Sequence, residues 1–381
     1  MFHLSNRKGP GPDRIRGVGQ QNGTKAIPHS GSATISRMKL LPVLITLFLT
    51  TALAQEKRAR SSENPLEHLP ANIEVLTHFG ERADVSPDNQ RVAVMTKSFG
   101  DAMVIDLKTR AITCLTCNVP AAAFLRVMHL ATGDYILIGP DHFENIHTSR
   151  TRDNELWFLS KERGAKPIKL GQKMSEGAAI SKKSLKIAFS QLPAQAPDLA
   201  PGTSRLMVAD LDFSGGPPRL INTKTVYESK DRNCVLEAQD FYDDDRKMVF
   251  TCYEEQGPHE GASVMGIDLA TGQVTNFSKA PGTYNEPEGI FPDGLYTTVE
   301  GDRQCEQLGG ERGHGNIDIW KLRLDGTGKG FTRLTHFNDY EGGKASNPVI
   351  STDGKFMAFQ VGRTGDPAGV GYGILIYWFK K

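Results

Sequence analysis

A short apolar strand, a polar turn and an alternating apolar strand recur along the chain. Residues 85–94, 180–189 and 350–359 carry this pattern clearly. In each, the first strand ends in serine (Ser86, Ser181, Ser351) and the second leaves as an apolar run such as Arg91-Val92-Ala93-Val94. Looser copies lie at 241–250 and 291–294, and a degraded one at 130–138. Asp, Asn and Gly fill the turns because they tolerate the left-handed or side-chain-bonded backbone of a tight hairpin.

Each copy is followed by a third apolar strand, at 103–106, 156–159, 206–210, 264–268, 317–322 and 374–378. A fourth follows at 112–115, 168–170, 219–221, 274–277 and 331–335. The anchors 86, 130, 181, 242, 291 and 351 are spaced by 44, 51, 61, 49 and 60 residues. Four antiparallel strands per repeat of this length predict an all-β, six-bladed β-propeller over residues 73–381. The last copy has no fourth strand after it. The missing piece stands at the other end, where Val75-Leu76-Thr77-His78-Phe79 echoes Arg333-Leu334-Thr335-His336-Phe337. The amino-terminal strand 73–77 is therefore expected to pair with 374–378 and close the ring, removing an exposed edge.

Composition adds compartment. Residues 38–54 place Lys39 before an apolar run at 40–49 and an Ala52-Leu53-Ala54 cleavage site, which reads as a signal peptide. Residues 1–37 read as a gene-model extension or a disordered leader, with a cytoplasmic tail on a signal anchor as the alternative. Residues 55–72 read as a linker, with Lys57-Arg58 either a dibasic processing site or a solvated pair. The apolar run is too short for a stable membrane span, so a secreted, monomeric protein is expected. With 45 basic and 44 acidic residues, net charge +1, no nucleic-acid partner is indicated. Export favours disulfides among the five cysteines. Folding the hairpin of the fourth copy brings Cys234 near Cys252, predicting a bridge. Cys114 and Cys117 are left as a local bridge or free thiols, and Cys305 as unpaired. Asn276-Phe277-Ser278 is a glycosylation sequon.

The unit Ser-Pro-Asp-Asn-Gln-Arg-Val-Ala at 86–93, with Asp318-Ile319-Trp320, Asp325-Gly326 and Arg333-Leu334-Thr335, resembles TolB-type propeller repeats. The resemblance covers residues 73–381 and implies the fold alone. Such repeats occur in periplasmic interaction proteins, in prolyl oligopeptidases and in oligogalacturonate lyases. The chain has no Gly-x-Ser-x-Gly elbow and no room for a hydrolase domain, so the prolyl oligopeptidase reading fails.

Counting five residues back from the anchors gives Glu81, Glu176, Glu237 and Glu286 in four blades, against Leu125 and Ser346 in the other two. If these carboxylates ring the channel mouth, they need a cation, a cationic ligand, held protons or ion-pair partners. Hard oxygens suit Ca²⁺ or Mn²⁺. The alternative is that each glutamate pairs with a neighbouring blade's arginine or amide. Glu288, Asn285 and Asn347 are expected nearby. The long loops of the same face add Asp141, His142, His147, Arg150, His259, Asp302, Arg303, Arg312 and His314. Three functions remain open: a ligand-binding propeller for a small molecule or carbohydrate, a lyase acting on uronic-acid oligosaccharides, or a protein-interaction platform.

Overall fold

The computed structural model describes residues 58–230, 233–254, 259–366 and 369–380. The segments read as leader and signal peptide lie outside them. The described strands form six four-stranded antiparallel sheets, arranged as the blades of a propeller. Blade one comprises Glu81–Val85, Arg91–Met95, Ala102–Asp106 and Ile112–Cys114; blade two Arg126–His129, Tyr135–Pro140, Asn154–Leu159 and Ile168–Lys173. Blade three comprises Ala178–Ile180, Lys186–Gln191, Ser204–Asp212 and Arg219–Ser229; blade four Val235–Tyr242, Lys247–Glu254, Gly261–Asp268 and Val274–Asn276. Blade five holds Asn285–Ile290, Tyr296–Gly301, Asp318–Arg323 and Thr332–Arg333.

Blade six is built from both ends of the propeller. Gly343–Ile350, Phe356–Arg363 and Ile374–Trp378 are completed by Ile73–Thr77, pairing Ile73 with Tyr377 and Val75 with Leu375. Closure uses the pairing that the Leu-Thr-His-Phe repeat predicted. Residues 58–72, in the segment read as a linker, run along blades five and six. There Arg60 donates to the carbonyls of Asn338 and Gly309, each at 2.9 Å.

The core is a set of interblade layers, because each blade presents apolar residues on both faces to its neighbours. Ile136, Ile138 and Leu156 of blade two meet Ile180, Ile187 and Phe189 of blade three in one such layer. Val92, Val94 and Ile105 of blade one meet Ala358, Ile374 and Ile376 of blade six in another. Cys234 is bridged to Cys252, with a Cα separation of 5.0 Å, and Cys114 to Cys117, at 5.7 Å; Cys305 is a buried thiol. No helix of the described residues is long and apolar enough to cross a membrane.

One local feature aims side chains at the axis. The first strand shifts register between Glu81 and Asp84, between Ala238 and Asp240, between Pro287 and Ile290, and between Ser346 and Val349. These are the same place in four blades. An extra residue in one strand bends it and re-aims the neighbouring side chains. Arg82 and Asn347 adopt left-handed backbone there, at φ 52° and 48°.

Candidate functional site: a charged channel mouth

A cavity of about 550 Å³ runs along the inner strands. Arg82, Arg126, Glu288 and Asn347 line it near the start of those strands, Asp84, Lys182 and Asp240 further in, and the turn residues Pro87, Asp244 and Thr352 at the far end. Of the four glutamates of the repeat register, Glu176 stands two residues before its strand, Glu81 begins its strand, and Glu286 and Glu237 are the second and third residues of theirs. Glu81, Glu237 and Glu286 are buried, and Glu176 is half-buried.

Their neighbours divide them. Arg82 bridges Glu81 and Glu176, at 3.6 Å to each, and Arg150 reaches Glu176 at 3.1 Å. Arg126 pairs with Glu237 at 3.2 Å. Burial opposes ionisation of Glu176, yet the guanidinium groups of Arg150, Arg82 and Arg126 hold it well below the usual carboxylate range. Tight packing supports the arrangement. Glu237 lies across Gly177, where a methyl group would overlap its carboxylate.

Glu286 has a different fate. It accepts from the hydroxyls of Tyr253 and Tyr284, and Tyr253 also donates to Glu237 at 2.9 Å. Glu286, Glu288 and Glu300 are all buried, and one oxygen of each lies within 4.8 Å of the others. Asn347 donates its backbone N–H to Glu300 and its side-chain amide to Glu288, the latter at 3.1 Å. Burial, then the charges of Glu288 and Glu237, push Glu286 up to about 8; burial and Glu286 do the same to Glu300. Glu288 is raised well above its ordinary range, by burial and by Glu300. These three acids either keep protons at neutral pH or share a cation.

Of the expected quartet, Glu286 alone belongs to this trio, joined by Glu288 and by Glu300, which the repeat count does not single out. Glu300 is the last residue but one of the second strand of blade five, outside the first-strand register. The arginines were legible. Arg82 and Arg126 both stand four residues before their anchors, and blade two, which has Leu125 in place of glutamate, supplies Arg126 next to it.

The loop residues scatter. Asp141, His142 and His147 are exposed, on the loop that ends in Arg150. His314 meets Glu260 through Nδ1, and its carbonyl accepts from Lys344 at 3.4 Å. Arg303 lies 3.8 Å over the Phe331 ring and reaches Asn285 at 3.5 Å. Arg312 pairs with the buried Asp302 at 3.1 Å. Arg150 itself is 5% exposed, and its Nη2 has no hydrogen-bond partner; Nε of Arg82 and of Arg126 likewise have none. Buried donors without partners are costly and mark places where a ligand can supply an acceptor.

No protein-family model and no curated protein matches the chain. Solved structures do. A TolB-type structure from Agrobacterium tumefaciens is 15% identical over 74% of this chain and 98% of its own, with a TM-score of 0.47. TolB from Acinetobacter baumannii is 18% identical over 80% and 66%, at 0.42. An oligogalacturonate lyase in complex with manganese is 10% identical over 81% and 93%, at 0.45. At such identities these are likenesses of propeller architecture and say nothing about activity. The fold is a six-bladed β-propeller.

Proposed function

We propose that this is an exported, ligand-binding propeller that holds a hard divalent cation, Ca²⁺ or Mn²⁺, with Glu286, Glu288 and Glu300 and binds a carbohydrate over it. The observation that carries the reading is the meeting of these three buried carboxylates within 4.8 Å. Three anions in one low-dielectric pocket repel strongly unless a cation or protons neutralise them, and hard oxygens are the ligands such cations choose. The buried donors of Arg126 and Arg150 that make no hydrogen bond support a polar ligand beside the cation. Sugar hydroxyls suit both, accepting from guanidinium groups and coordinating a metal. Two disulfides support an oxidising compartment.

A second reading has its own observation. Glu176 is held ionised while Glu286 and Glu300 are pushed up to about 8. Carboxyl groups driven apart in this way are what general acid and base chemistry uses, so the same mouth supports a carbohydrate-active enzyme, including a lyase on uronic-acid oligosaccharides.

Thermal unfolding in EDTA, Ca²⁺ and Mn²⁺ tests the first reading. A cation that binds the native state alone stabilises it by about 2.7 kcal/mol at a hundred times its Kd, which raises Tm by several degrees. Glu300→Gln should abolish the shift. A parent protein indifferent to all three conditions overturns the cation site. Reducing-end assays on uronide oligomers separate the second reading from simple binding.

A further inference from the structure

The two disulfides differ in what they hold. Cys234 and Cys252 are 18 residues apart and tie the entry of blade four to its second strand, where Cys252 is 9% exposed between two paired neighbours. Cys114 and Cys117 are 3 residues apart, at the end of the outermost strand of blade one and in the turn that follows it. A bridge acts mainly by restraining the unfolded chain, and it does least when the loop it closes is short. The turn is also fastened without it. Leu115 donates its N–H to the Ala102 carbonyl, and Val119 to that of Thr116, each at 2.8 Å. The buried Thr116 hydroxyl accepts the Ala102 N–H at 3.0 Å and donates to Asp101 at 2.7 Å. Asn118 reaches across to blade two, donating to the carbonyls of Gly164 and Ala165 at 3.0 and 3.1 Å. These bonds hold the turn whether or not the sulfurs are joined.

The pair is open to solvent, and its two sulfurs are not equivalent. Cys117 is exposed and Cys114 half-buried. The backbone N–H of Cys117 donates to Cys114 Sγ at 3.0 Å. A donor fixed on one sulfur favours negative charge there, so Cys114 is the better leaving thiolate and Cys117 is the sulfur that an incoming thiol meets. One carboxylate oxygen of Asp101 lies within 4.8 Å of both sulfurs and opposes a thiolate on either, so it does not decide between them.

We propose that Cys114–Cys117 is a thiol–disulfide exchange site on blade one, opened and re-formed by external thiols while the propeller stays folded. An external thiolate attacks Cys117 Sγ and forms a mixed disulfide. The Cys114–Cys117 bond breaks, and its electron pair leaves on Cys114. A second thiol then attacks the sulfur of the first and releases Cys117 as a thiolate. The two cysteines take up the protons that the two thiols gave up. Two thiols become one external disulfide, and the two electrons they lose reduce the protein's bridge. Neither cysteine lines the channel cavity, so the exchange site is independent of the cation.

The full protein, equilibrated in glutathione buffers of graded reduced-to-oxidised ratio, tests this. Each sample is acid-quenched and alkylated, and every cysteine is read by peptide mass spectrometry. Structural bridges resist the glutathione pool, whereas labile ones titrate against it. Cys114 and Cys117 should become alkylated together within the series and should rejoin when oxidised glutathione is restored. Cys234 and Cys252 should stay joined throughout, and the protein should keep its cooperative thermal transition. Brief reaction should trap glutathione on Cys117. Resistance of Cys114–Cys117 to the whole series, failure to rejoin, opening of both bridges together, or loss of the thermal transition as the first opens overturns the exchange site. Glutathione trapped on Cys114 instead overturns the order of attack.

Discussion

Asp84 and Asp240 stand at the same repeat position, two residues before their anchors, and do the same structural job. Asp84 accepts the backbone N–H of His129 at 2.7 Å, and Asp240 that of Ile290 at 2.9 Å. Each partner is the residue just before the next blade's anchor, so each aspartate clips its blade to the adjoining one. Their charges differ completely. Asp84 also meets both a Lys182 ammonium, at 2.9 Å, and the His129 ring, at 2.8 Å. Burial works against its ionisation, but Lys182 and His129 keep it below the ordinary range. Asp240 takes only backbone N–H groups, and burial pushes it up to about 7. Glu176 and Glu286 repeat the contrast at the mouth, one among arginines and the other among carboxyls and tyrosines. Repeat position decides where a group stands; the neighbouring blade decides its charge.

The comparison breaks most severely at Lys182. Lys182→Met leaves Asp84 buried without its counter-charge, and removing one partner of such a pair costs about 3 kcal/mol even where the lysine keeps some channel exposure. Urea unfolding should show a lowered midpoint with the slope unchanged. A midpoint equal to the parent's contradicts the pairing. Arg150→Met should cost less, about 2 kcal/mol, because Arg82 remains beside Glu176. Glu176→Gln in that background should recover part of the loss.

The smallest effect is in pH. Folded Asp240 holds its proton up to about 7, whereas an unfolded aspartate releases it near 4. Between those values the native state binds more protons, so Asp240 lowers stability as pH rises through that window. Asp84 works in the opposite direction. Its folded value is depressed, so its contribution is present above the unfolded value and is lost as pH falls. Asp240→Asn should therefore gain roughly 1 kcal/mol on the parent at pH 8, after discounting channel water, and little at pH 4. A gain independent of pH contradicts the assignment.

The fold was legible because closure of a propeller is a sequence problem. Serine-ended strands, six anchors and the echo of Leu76-Thr77-His78-Phe79 by Leu334-Thr335-His336-Phe337 determine blade number, strand order and the closing pair. The Cys234–Cys252 bridge comes from hairpin register in the same way. The site was legible only in part. Counting back from the anchors found Glu81, Glu176, Glu237 and Glu286, and one step further along finds Arg82 and Arg126. It does not find Glu300, which reaches the mouth from a second strand. Pairing across blades is a through-space property, and the spacing of repeats along the chain does not encode it.

The most direct test of the account is to count bound Mn²⁺ by electron paramagnetic resonance in the parent, in Glu300→Gln and in Glu81→Gln. The account predicts one tightly held ion per chain in the parent, none in Glu300→Gln, and one still present in Glu81→Gln, whose carboxylate belongs to Arg82 and Ser98. Absence of bound Mn²⁺ in the parent, or loss in Glu81→Gln with retention in Glu300→Gln, would contradict it.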